Sequence, residues 1–114
     1  MNIRELVDNA LSSVFDYYYC GKPDFGDDEP SIYAVYTVKE KPVNFASGIH
    51  HGKSYFISVS VISVGYEQEL YDKIEKVFTE KGFIYGGGTD TSVEVGIYPV
   101  RTQYVQDYYI DLEV

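Results

Sequence analysis

The sequence predicts an α+β domain: one antiparallel or mixed sheet with two helices packed on one face. Three observations predict it. Two stretches carry apolar residues at helical spacing, and four carry β-branched and aromatic residues in strand-like runs. They follow one another in the order α-β-β-α-β-β, so helices connect two hairpins, and a single sheet buries both helical stripes at once. The length of 114 residues fits one domain over residues 1–114, large enough for a core without metals or disulfides.

The first helix is predicted from Ile3, Leu6, Val7, Ala10, Leu11, Val14 and Phe15, which form one apolar stripe ending near Phe15 or Asp16. Asn2 followed by Glu5 has the spacing of a capping box. The next stretch, "YYYCGKPDFGDDEP", holds two glycines, two prolines and four acids and is predicted to be an irregular connection. "SIYAVYTV", residues 31–38, is the first predicted strand, and residues 39–52 follow as a long loop. In "SYFISVSVISV" the alternation places Tyr55, Ile57, Val59 and Val61 toward the core, because the opposite phase would bury Ser58 and Ser60. Leu70, Tyr71, Ile74, Val77 and Phe78 define a second helix over residues 67–81, with Gly82 at its left-handed C-terminal cap. "FIYGGGTDTS" is predicted to link this helix to a strand in "VEVGIYPV", where Val93, Val95 and Ile97 alternate. In the last strand Tyr104, Tyr108, Ile110, Leu112 and Val114 share one face, and Val105, Asp107, Tyr109, Asp111 and Glu113 share the other.

Composition narrows the function. A hydrophobic fraction of 45% argues for a folded domain despite a net charge of −9. That acidity repels phosphate backbones, so specific nucleic-acid binding is not expected. The single Cys20 has no internal disulfide partner, no apolar run approaches the roughly 18 residues of a membrane span, and the amphipathic N-terminus is unlike a signal peptide. A soluble intracellular domain is expected.

The candidate chemistry is thin. His50 and His51 are adjacent, whereas motifs with two histidine ligands on one helix face need i, i+4 spacing, and no local third ligand is supplied. "YGGGTD" lacks the lysine and the following helix of a phosphate cradle. Cys20 would need a nearby base or positive charge to act as a thiolate, and it follows three tyrosines and precedes an acidic loop, which favours the thiol. The acids of "DFGDDE" lack calcium-loop spacing. Neither an enzyme, a metal nor a cofactor is expected. The 13 tyrosines exceed what a small core hides, and tyrosine favours interfaces because it joins contact area to a hydroxyl. Tyr104, Tyr108 and Tyr109 on the last strand are therefore candidate interface residues.

In its order of elements the chain resembles the tail-terminator (tail-completion) proteins of long-tailed bacteriophages and prophages, the group of lambda minor tail protein U. The features that carry the resemblance are the helix "IRELVDNALSSVF", the strand "SIYAVYTV", a long loop, the strand-to-helix run "SYFISVSVISVGYEQELYDKIEKVFTEKGF" and a closing hairpin. The resemblance implies a ring homo-oligomer, a hexamer, that caps the tail tube and meets tail-tube and head-completion proteins, with no catalysis. It implies assembly in the host cytoplasm and residence in the virion. The family's loop between the first two strands, here residues 39–52, orders on assembly, which adds Asn44, Phe45, Ile49, His50 and His51 to the candidate interface. Residues 44–53 are expected to protrude from an isolated subunit as the tip of a long hairpin. The alternative reading is a small-ligand-binding or regulatory domain holding its ligand between helix and sheet. A hydrolase using the His50-His51 loop is a third, weaker one.

Overall fold

The computed structural model describes residues 2–22, 30–42, 52–65, 67–93 and 101–113. The chain forms α1 (Ile3–Ser12), β1 (Tyr18–Cys20), β2 (Tyr33–Pro42), β3 (Gly52–Ser63), α2 (Gln68–Glu80), β4 (Ile84–Val93) and β5 (Arg101–Glu113). The α+β class and the placement of both helices on one face hold. The sheet is mixed, in the order β1-β2-β3-β5-β4, with β1 parallel to β2 and every other pair antiparallel.

Both helices start and stop where local chemistry directs. Asn2 caps α1 by accepting from the Glu5 backbone N–H at 2.9 Å, while its amide donates to the Glu5 carboxylate at 3.0 Å. Glu5 is thus answered by the cap's side chain rather than by its backbone N–H, a variant of the predicted capping box. Just past the end of α2, Gly82 takes φ +97°. Its N–H donates to the Thr79 carbonyl and the Phe83 N–H donates to the Phe78 carbonyl, both at 3.1 Å, which is a Schellman cap. The apolar contact that accompanies such a cap is present as well: the Phe78 and Phe83 rings meet edge-on at 5.0 Å.

One core lies between the helices and the sheet. Val7, Ala10, Leu11 and Phe15 from α1 and its exit meet Tyr71, Ile74 and Phe78 from α2 over Ala34, Tyr36, Ile57, Val59, Val61, Tyr108 and Ile110 of the sheet. The predicted phase of β3 is correct, with Ile57, Val59 and Val61 wholly buried. Aromatic rings do much of the filling: Phe78 stacks on Tyr108 at 4.4 Å and Tyr71 on Tyr104 at 4.1 Å. Among the described residues, Gln106 is the one large polar side chain buried there. It is satisfied by donating to the Tyr71 carbonyl at 3.0 Å and accepting from the Tyr108 hydroxyl at 2.9 Å, which ties β5 to α2.

Four expectations are corrected. Helix α1 ends at Ser12, short of the predicted Phe15 or Asp16, with Ser13 as its C-cap. The stretch expected to be wholly irregular contains β1, because Tyr18, Tyr19 and Cys20 favour extended backbone and pair with Ala34, Val35 and Tyr36. Strand β2 runs on to Pro42 and β3 begins at Gly52, so the connection between them is shorter than the sequence suggests. The glycine run is not a link but part of β4. Gly86, Gly87 and Gly88 stand in the strand around a register shift between Tyr85 and Gly87, and Gly87 takes φ +123°. A side chain at Gly86 would strike the Tyr109 ring, and one at Gly88 would strike the hydroxyls of Tyr104 and Tyr85. The cross-strand tyrosines therefore occupy the space that the glycines leave. Of the strand predicted in "VEVGIYPV", Val93 ends β4, and residues 94–100 lie outside the described residues.

Candidate functional site

The face of the sheet turned away from the helices carries the most organised surface chemistry. Its pattern follows from register. Ser54 stands opposite Asp111, Phe56 opposite Tyr109 and Ser58 opposite Asp107. Ser54 Oγ donates to Asp111 Oδ1, and Ser58 Oγ donates to Asp107 Oδ1 at 2.8 Å. Between these two pairs the Phe56 and Tyr109 rings meet edge-on at 5.0 Å, inclined by 61°. The aromatic row continues to Lys39 on β2, paired with Phe56, and to Ile84 on β4, paired with Tyr109. Ile84 is 62% exposed and Tyr109 43%, while Phe56 is half-buried. A groove of about 470 Å³ runs beside the row, lined by Lys39, Ser54, Tyr55, Phe56, Tyr109 and Asp111. Where β2 and β3 near the ends that face their connection, Glu40 and Lys53 form an exposed ion pair at 3.1 Å, and the partner carboxylate raises the lysine pKa.

The predicted interface residues separate sharply on this geometry. Tyr109 belongs to the open face. Tyr108 presents no surface to a partner: it is fully buried under α2, because the period of two that exposes Tyr109 turns its neighbour inward. Tyr104 is half-buried on the helix side, stacked on Tyr71 and hydrogen-bonded to Tyr85. That hydrogen bond and burial push its hydroxyl up to about 12. Asn44, Phe45, Ile49, His50 and His51 lie outside the described residues.

A second cluster joins residues distant in sequence. Arg4 Nη2 donates to Cys20 Sγ at 3.1 Å, and the Tyr36 hydroxyl donates to Asp8 Oδ1 at 2.7 Å. Burial, then the bond to Asp8 and the nearby Cys20, raise the Tyr36 pKa. Arg4 and Cys20 line a groove of about 470 Å³ with Ile3, Gly21, Thr37, Val38, Glu40 and Tyr55. A guanidinium thus reaches the cysteine from α1, 16 residues away in sequence. Among the described residues, no group of three His, Cys, Asp or Glu side chains is placed to hold a metal ion. No helix among them is long and apolar enough to cross a membrane.

No protein-family model matches the chain, and no curated protein sequence matches it. Among solved structures, it is similar to a chain in the virion of a native gene transfer agent particle. The two are 10% identical with a TM-score of 0.45, and the match covers 95% of this chain and 84% of that one. A likeness of this degree assigns neither a family nor a role.

Proposed function

We propose that the protein is a structural assembly protein of a long-tailed phage or phage-like particle, capping the tail tube and joining it to the head-completion complex. The observation that carries this reading is the open face of the sheet, where half-buried Phe56 and exposed Tyr109 and Ile84 form a row framed by hydrogen-bonded Ser–Asp pairs. Such a row suits contact with another macromolecule, since aromatic rings supply area and the polar frame supplies direction. The element order of the tail-terminator resemblance supports the same reading. So does the net charge of −9, which suits a ring through which DNA slides without sticking. The partners are further copies of the chain in a ring, a tail-tube protein and a head-completion protein, met first in the host cytoplasm and then in the virion.

Light scattering across a concentration series, with negative-stain microscopy of tail tubes mixed with the protein, tests this. Six-fold rings or capped tube ends are expected. A protein that stays monomeric and leaves tube ends unchanged overturns the reading. The ligand-binding alternative has less support, because stacked rings of Tyr71, Tyr104, Phe78 and Tyr108 fill the space between α2 and the sheet.

A further inference from the structure

On the open face an exposed aromatic ring stands between two carboxylates of its own strand. Tyr109 stands between Asp107 and Asp111, each two residues away on β5, so all three project from the same face, each acid about 7 Å along the strand from Tyr109 and about twice that from the other. Each carboxylate is held through Oδ1 by a serine of β3, which leaves Oδ2 without a hydrogen bond among the described residues. Phe56 braces the Tyr109 ring from the side, and the ring remains 43% exposed. By register β2 places Lys39 opposite Phe56 and Lys41 opposite Ser54 on this face, while β5 places Asp107 and Asp111 beside Tyr109, so the acids are the charges that flank the ring along its own strand.

A guanidinium matches this arrangement in three respects. Its flat face stacks on an aromatic ring, its forked N–H groups reach carboxylate oxygens, and its charge answers the aspartates. Because the serines already orient the carboxylates, little side-chain freedom is lost on binding. A phosphate-bearing partner is repelled by the same aspartates. A second copy laying its own β5 on this one sets like charges against each other, and one laying its Lys39 there offers a compact ammonium with no flat face to stack on Tyr109. We propose that the open face of β3 and β5 docks an arginine side chain presented by a segment of a different protein, with the guanidinium stacked over Tyr109 and its N–H groups on one of the two flanking carboxylates, Asp107 or Asp111. The proposal stands independently of the tail-assembly reading, since it rests on the local chemistry of one face.

The test uses the full chain, isotope-labelled, with a capped Ser-Leu-Arg-Leu-Ser peptide followed by backbone amide shifts in NMR. The comparison peptide carries citrulline, which keeps the shape of arginine without its charge. The arginine peptide is expected to move amides of β3 and β5 around Phe56 and Tyr109. Its binding should weaken at least about tenfold in the citrulline peptide, in an Asp107→Asn/Asp111→Asn variant, or in about 0.5 M salt. The asparagines keep the acceptor for each serine, so the variant tests charge rather than folding, and its circular dichroism should match the parent. Equal binding of both peptides, shifts confined to another surface, no shifts at millimolar peptide, or a homodimer in which Phe56 and Tyr109 are the contact would each overturn the proposal.

Discussion

Tyr108 and Tyr109 are adjacent in sequence and lie on opposite faces of β5, in environments that share almost nothing. Tyr108 is fully buried, stacked on Phe78, with its hydroxyl committed to Gln106. Tyr109 is 43% exposed, rests on Phe56 and covers the bare backbone of Gly86. The inner face is thus held by interlocked rings and satisfied hydrogen bonds, and the outer face by a shallow ladder of side-chain pairs. The difference teaches that tyrosine content by itself says little about binding. Strand phase decides whether a tyrosine is packed into the core or offered to a partner.

Four experiments sharpen or break this contrast. The broadest is alkaline denaturation. Burial raises the pKa of Tyr108 and of Tyr36, and the bond to Tyr85 lifts Tyr104 from its ordinary 10.0 to about 12. These hydroxyls hold their protons more tightly in the folded state, so the stability they lend is whole below about pH 10 and is lost progressively above it, that of Tyr104 as the pH climbs through about 12. Urea midpoints should fall steeply over that interval, and a midpoint that stays level to about pH 12 would contradict the inner-face account. Next, Tyr108→Ala should cost about 3–5 kcal/mol in urea denaturation, against less than about 1 kcal/mol for Tyr109→Ala. Similar losses for the two variants would erase the distinction between the faces.

Gly88→Ala comes third, with an expected loss of about 1–3 kcal/mol from forcing Tyr104 and Tyr85 apart. A variant as stable as the parent would show that those rings give way freely. The smallest effect is expected from Ser58→Ala, about 1 kcal/mol or less, because Asp107 lies on a half-open surface where water replaces the lost donor. A loss of several kcal/mol there would mean that the ladder, and not only the core, holds the sheet together.

Much of the fold was legible because its signals are local. The phase of β3 followed from Ser58 and Ser60, the N-cap from Asn2 and Glu5, and the helix stop from Gly82. The glycines of β4 were misread because glycine has poor strand propensity, and what makes them tolerable is a pair of tyrosines on another strand. The two faces of β5 were also legible, but not which face would remain uncovered, since that depends on where both helices pack. The Ser–Asp ladder required the β3–β5 register, and the Arg4–Cys20 contact joins residues 16 apart in sequence. Neither relation leaves a trace in sequence spacing.

The strand order has a kinetic consequence. In space β5 lies between β3 and β4, while in the chain it follows both. Pairs such as Gly52 with Glu113 and Ser63 with Thr102 join residues far apart in sequence, so chain closure must come before the contacts that compensate it. Within the described sheet, β4 pairs with β5 and with no other strand, and α2 reaches its Gln106 anchor only through β5. Assembly of the sheet therefore turns on one strand: β4 takes its place in the described sheet only when β5 is seated between it and β3.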